Sequence, residues 1–350
     1  MALLLIFCTS LFFKHAYAVE VTALYDAKVP IKSQARDARR VAYQDALKQV
    51  LVKLSGDYSV LELPEIKSEI KNVTDYLLKF QFKQDDNQQM LYAEFEVDKV
   101  NRLLLKAGAN LWGTRRPLAV IWLAIEEGEQ RLTVSEDSFP ILVKQLKSGA
   151  ERRGLPVTIP LMDLTDISTV TITDIWGRFY EPLQQASERY GAESIVSARM
   201  YPAKDENARG SQWTLEWTIY QQDKRVTNTI EGDRFSLLNE LPEALADYYA
   251  QEYSIKADSY DRDRVVNVTI YNLHSVADLI YAERILNSFS SIGRTKLVSR
   301  YQDHAVFEID LVGLPMDFVQ ALDLDSKFEK IFDPLADQSE QQLIEYRWVK

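Results

Sequence analysis

The sequence predicts a multidomain chain of mixed α+β and α/β class. An N-terminal α+β unit is expected over residues 19–112 and a central unit over 117–257, with a parallel α/β core and a β-meander. A C-terminal ferredoxin-like β-α-β-β-α-β unit is expected over 264–350. Three observations carry this. Leu118 to Ile125 is eight consecutive apolar residues, the pattern of a strand buried on both faces in a helix-covered parallel sheet. Trp213, Leu215, Trp217 and Ile219 alternate with Thr214, Glu216, Thr218 and Tyr220, the period-two pattern of a half-buried meander strand. After Val265 the elements fall in the order strand, helix, strand, strand, helix, strand.

The elements follow in order. Val21 to Ile31 reads as a strand ended by Pro30, and Ser33 is placed to cap the next helix. In that helix Ala42, Tyr43, Ala46, Leu47, Val50, Leu51 and Leu54 share one face, and Gly56 stops it. A short helix follows over Pro64 to Asn72. Leu77–Phe82 and Met90–Val97 form a hairpin around Asp85-Asp86-Asn87. Asp98 is positioned to cap a helix over Val100–Ala107, closed by Gly108. Trp112-Gly113-Thr114-Arg115-Arg116-Pro117 is punctuated by Gly and Pro and marks the first boundary.

In the central unit the strand Leu118–Ile125 leads to a helix over Phe139–Arg153, with Leu142, Leu146 and Ala150 at four-residue spacing and Gly154 as its stop. A strand is expected over Pro156–Leu161. One helix capped by Asp174 and running to Tyr190 follows, then a strand over Ser194–Tyr201. The meander pairs Trp213–Tyr220 with Val226–Ile230, and a helix over Leu237–Tyr253 closes the unit. Asp258–Arg264 is charged and irregular and marks the second boundary. Beyond it come a strand with Val266, Val268 and Ile270 inward and a helix capped by Ser275 that runs to Phe289. Strands over Lys296–Ser299 and Ala305–Leu311, a helix over Pro315–Leu322 and a last strand over Leu343–Val349 complete the chain.

The first eighteen residues, MALLLIFCTSLFFKHAYA, read as a secretory leader. An apolar run from Leu3 to Phe13 ends in the small-x-small site Ala16-Tyr17-Ala18. Cleavage is expected after Ala18, with the product in the periplasm. The bulky Ile6 and Phe7 before Cys8 argue against a lipidated cysteine. Cys8 is the one cysteine of the 350 residues, so the remainder has no disulfide to rely on. Loss of Lys14 takes the net charge from −11 to −12. Such an acidic surface repels nucleic-acid backbones and anionic headgroups. No internal apolar stretch reaches the ~18 residues of a membrane helix.

Catalytic motifs are scarce. The remainder holds two histidines, His274 and His304, both in expected loops, and no Gly-x-Ser-x-Gly elbow, so a serine triad has no support. Zinc spacing is absent, and no glycine-rich phosphate loop occurs. Asp163 and Asp166, with Asp174 nearby, are candidate oxygen ligands at the end of a parallel strand, but helix capping is the preferred reading. The carboxylate pairs Glu126-Glu127 and Asp323-x-Asp325 point apart and read as solvated surface. Arg115 and Arg116 are candidate clamps for an acidic partner or phosphate; the preferred reading is a salt bridge between the first two units. Trp213 and Trp217 are candidates for a glycan or peptide surface, with packing under the Leu237–Tyr253 helix preferred.

Ala38–Gly56 (ARRVAYQDALKQVLVKLSG), Asn110–Trp122 (NLWGTRRPLAVIW) and Arg153-Gly154-Leu155-Pro156 with Pro160 and Asp163 together resemble an uncharacterised family of exported proteins of Gram-negative bacteria, the domain of unknown function numbered 2066. The resemblance implies a location and a whole-chain pattern, and no activity. The expectation that follows is a non-enzymatic periplasmic protein without a cofactor that binds an envelope protein partner. The alternative is a module for cell-wall glycan or a small ligand at the strand ends of the central unit, and the third reading is an envelope hydrolase. A pocket of convergent polar groups after Leu161 would favour a ligand; a flat apolar patch on the surface would favour a protein.

Overall fold

The structure is a computed structural model. It describes residues 19–20, 23–85, 88–203, 212–221, 224–255, 265–289, 291–311, 315–331 and 344–349, without the side chains of Val19, Glu20 and Arg115. The leader and the expected boundary at 258–264 lie outside the described residues. Among those described, no helix is long and apolar enough to cross a membrane.

The chain mixes helices with antiparallel and mixed sheets. It opens with β1 (Val19–Glu20), followed by β2 (Asp26–Pro30), α1 (Arg36–Ser55), α2 (Pro64–Glu69), β3 (Leu77–Asp85), β4 (Gln88–Phe95) and α3 (Val97–Lys106). An antiparallel sheet of order β2-β4-β3 packs Ala27, Val29, Leu91, Ala93 and Phe95 against α1. All seven residues of the expected α1 face are buried; each fully buried Leu or Val contributes ~1.5–3 kcal/mol. Gly56 ends α1 at φ 71, the left-handed conformation that favours glycine. Two caps differ from expectation. Ser33 accepts a hydrogen bond from the Ala35 amide, and Ala35, still extended, precedes α1 without a side-chain cap. Asp98 lies inside the first turn of α3, because that helix starts at Val97.

The central unit comprises β5 (Arg115–Arg116), β6 (Ala119–Glu127), β7 (Gln130–Thr133), α4 (Pro140–Arg153), β8 (Val157–Thr158), α5 (Leu164–Thr169), α6 (Ile172–Gly177), α7 (Tyr180–Ser187), β9 (Ser194–Pro202), β10 (Gln212–Gln221), β11 (Lys224–Asp233) and α8 (Arg234–Tyr253). Its sheet runs β11-β10-β9-β6-β7, with β8 also beside β6. The β8, β6 and β9 strands are parallel, and β9-β10-β11 is the antiparallel meander. Helices α4 and α8 cover one face and the α5–α7 segment the other, so β6 is buried from Ala119 to Ile125.

Four expectations are corrected here. The single helix to Tyr190 is broken at Arg178, whose φ is 58. Pro182 explains this, since its ring in a continuous helix would strike the Arg178 carbonyl four residues back. Asp174 is the third residue of α6, in a capping box with Thr171. The strand Pro156–Leu161 shrinks to Val157–Thr158, because Pro156 and Pro160 have no N–H for a ladder. Strand β10 is covered on both faces: Thr214, Thr218 and Tyr220 are buried as well as Trp213 and Trp217, since β10 lies between β9 and β11 under two helical layers.

The last unit holds β12 (Val265–Tyr271), α9 (Val276–Leu286), β13 (Ile292–Arg300), β14 (His304–Leu311), α10 (Pro315–Asp323), β15 (Phe328–Lys330) and β16 (Ile344–Trp348). Val268, Ile270, Ala305, Phe307, Ile309 and Leu311 are buried under the two helices. Ser275 caps α9 in a capping box with Asp278. The sheet order is β13-β14-β12-β16-β15. An alternating β-α-β-β-α-β path would bring its last strand in antiparallel to the first. Here the extra strand β15 takes that turn of the chain, and β16 returns parallel to β12.

Candidate functional site

Three places bring chemistry-bearing side chains together. The first is the junction before β6. Helices α1 and α4 both end there in left-handed glycines, Gly56 at φ 71 and Gly154 at φ 64. Their last carbonyls point at Arg116, which is fully buried. Its five N–H groups donate to the carbonyls of Gly113, Trp112, Lys53, Arg153 and Gly154 at 2.7–3.0 Å. The guanidinium also stacks on Trp112, 3.8 Å from the ring centroid. Among the described residues no acid pairs with it in this cage; the negative ends of two helices take that role. Burial pushes its pKa down to about 9, which leaves it protonated at neutral pH. The expected salt bridge is therefore a carbonyl cage. The ionic tie comes from Arg153, which donates to the Gly56 carbonyl and bonds Asp247 and Glu243 of α8. Arg153 looks in the sequence like an ordinary last-turn cation, and only the fold brings it to α1. The Arg115 side chain lies outside the described residues.

The second place follows β8. Asp163 caps α5 through the amides of Thr165 and Asp166 and takes both ends of Arg189 at 2.7 and 2.9 Å. That guanidinium holds its pKa down to about 2. Asp166 is fully buried and accepts from Arg189, the Tyr190 hydroxyl and the Met162 amide. The Tyr190 hydroxyl in turn accepts from the Leu161 amide. Met162 is held at φ 56, rare for a side chain without a local hydrogen-bonding group. The two carboxylates are thus used inside a clasp, and Asp174 serves its own capping box. Among the described residues no group of three His, Cys, Asp or Glu side chains is placed to hold a metal ion. What the clasp projects outward is apolar: Leu161, Leu164 and Ile167 are 53%, 87% and 57% exposed. Leu164 and Ile167, three residues apart in α5, lie on one side of that helix, and Leu161 precedes its Asp163 cap by two residues.

The third place, at the C-terminal ends of β6 and β9, was not legible in the sequence. Glu216 of β10 accepts from Arg199 at 2.7 and 3.2 Å and from the Tyr201 hydroxyl, and Arg178 stands 3.3 Å away. Burial would raise the Glu216 pKa, but Tyr201 and Arg199 outweigh it and hold it down. Arg131 stacks on Trp176 at 4.0 Å, and Arg199 donates to the Trp176 carbonyl. These residues come from four elements, so no spacing signals them. Trp213 and Trp217 lie instead in the core beneath α8, with 9% and 2% exposure, and present no surface.

Residues 18–113 match a family described as a domain of unknown function (DUF8605), a span that ends at the Trp112–Gly113 junction. None of the curated proteins matches the sequence. Among solved structures, lipoprotein GNA1162 of Neisseria meningitidis is 9% identical, over 39% of this chain and 99% of its own, with a TM-score of 0.25. A competence-damaged protein (CinA) superfamily protein of Escherichia coli is 12% identical, over 44% and 86%, with a TM-score of 0.22. Likeness at these scores carries no argument.

Proposed function

We propose that this chain is a non-enzymatic protein of the bacterial periplasm, exported by a leader cleaved after Ala18, that docks a protein partner through the Leu161–Leu164–Ile167 knuckle. The proposal includes membership in the exported family of unknown function numbered 2066. One observation carries the docking reading: the polar groups after β8 are spent on Arg189 and Tyr190, while three large aliphatic side chains beside them face solvent. Isolated exposed aliphatics are ordinary; a cluster on a rigidly braced turn suits a partner's apolar pocket. The chain's charge of −11 favours a basic rim around that pocket. Crosslinked pull-down from intact envelopes tests it. Wild-type chain captures a discrete partner, and Leu164→Asp loses that partner at an unchanged melting temperature. Equal capture by both proteins overturns the reading.

A second reading, a small anionic ligand at the ends of β6 and β9, rests on Arg131, which covers Trp176 and, among the described residues, has only Glu126, 3.6 Å away, as a counter-charge. Calorimetric titration with anionic glycan fragments, lost in Arg131→Ala, distinguishes it.

A further inference from the structure

At the foot of the central sheet, opposite the strand ends, Glu193 lies between β9 and the C-terminal turn of α8. Both of its carboxylate oxygens are shut off from solvent, and neither has a hydrogen-bond partner. Two tyrosines of α8 beside it have partners of their own. On α8, Tyr249 shares a hydrogen bond of 2.6 Å with Ser194 of β9, and Tyr253 accepts from Gln221 of β10. The Leu118 amide, ahead of β6, is the one backbone group that favours the ionised form. Tyr248 has a buried hydroxyl without a partner. Glu252 pairs with Lys224 of β11 on the exposed side of the helix. Among the described residues no cation acts on Glu193.

We propose that Glu193 is a proton-dependent latch: neutral, it lets the last turn of α8 stay packed on the sheet, and ionised, it releases that turn. A neutral carboxyl sits at modest cost among tyrosine rings, whereas a carboxylate with no counter-charge and only the Leu118 amide to favour it is disfavoured there. The same turn reaches further. Tyr253 and Ile255 line a water-sized cavity of about 30 Å³ together with Thr114 of the junction and Phe289, Ser291 and Gln320 of the last unit. The Leu111–Ile255 bridge ties the segment just after α8 back to the first unit. Release of this turn therefore loosens the point at which the three units meet. The inference is independent of the docking reading.

Burial pushes the Glu193 pKa up from 4.5 to about 8. In the unfolded chain the group loses its proton from about pH 4.5, while the folded chain keeps it up to about pH 8. The unfolded state then binds fewer protons, so stability falls as pH rises through that window and levels off above it. The experiment is a melting-temperature profile of the full chain across that pH range, for wild type and Glu193→Gln. The wild-type melting temperature is expected to decline relative to Glu193→Gln, with loss of amide protection, corrected for intrinsic exchange, in the last turn of α8. Parallel profiles overturn the proposal. If Glu193→Gln does not fold, carboxyl-carbon NMR of the labelled wild-type chain decides: a midpoint near pH 8 supports the latch, and one near pH 4.5 refutes it.

Discussion

Arg116→Ala is expected to break the joint between the first two units. The substitution strips five carbonyls, four of them in buried hydrogen bonds, of this donor and removes the cation stacked on Trp112. An acceptor left unsatisfied costs ~1–3 kcal/mol. Water entering the vacated space recovers part of that for several of the five, so the net loss is about 4 kcal/mol, in the range for breaking a buried charged network. Arg116→Lys keeps the charge but offers three donors without the planar fork, and should cost about half as much. The assay is differential scanning calorimetry. The transition of the first two units should shift down by roughly 10 °C in Arg116→Ala, taking ~2–4 °C per kcal/mol for units of this size, or split in two. Arg116→Lys should fall between Arg116→Ala and wild type. Arg116→Ala within about 0.5 kcal/mol of wild type would refute the cage as a structural element. If partner capture were lost at the same time, Arg116 would become a binding residue.

The glycines supply a matched control. An added Cβ at Gly154 would meet Leu24 at 2.5 Å and Arg116 at 2.8 Å, whereas at Gly191 it meets nothing, and both have positive φ. Gly191→Ala should therefore cost only the backbone penalty of about 1 kcal/mol and Gly154→Ala about 3 kcal/mol, read by urea unfolding; equal costs would contradict the close approach. Tyr190→Phe removes the hydroxyl that joins buried Asp166 to the Leu161 amide, and should destabilise the central unit by ~1–3 kcal/mol in the same assay. Intact-mass measurement of exported protein should give a chain beginning at Val19; a lipid-modified chain beginning at Cys8 would overturn the leader reading.

What the sequence made legible was local. The seven-residue face of α1, the unbroken run that became β6 and the left-handed glycines at 56 and 154 each follow from periodicity or backbone sterics within about twenty residues. What escaped depended on pairing at a distance. Trp213 and Trp217 do face α8, as preferred, but their neighbours Thr218 and Tyr220 are buried too, because β10 became an inner strand. That placement is decided by β9 and β11, not by β10. The parallel return of β16 is likewise set by β15, a three-residue strand too short to announce itself. The break at Arg178 was readable in principle from Pro182. Among the candidate site residues, Arg116 and the two aspartates proved to be tightly bonded, but their partners were carbonyls and Arg189 in place of the acids or metals that composition suggests. Glu193 gave no signal, since nothing local distinguishes a buried glutamate from a solvated one.

The docking claim is tested most directly by site-specific photocrosslinking in intact cells, with a photoreactive residue placed singly at Leu164, at Ile167 and at Met316. Met316 is 68% exposed on α10, far along the chain, and controls for exposure alone. The account predicts one adduct of the same mass from Leu164 and Ile167 and none of that mass from Met316. Absence of an adduct at both knuckle positions, or the same adduct from all three, would contradict it.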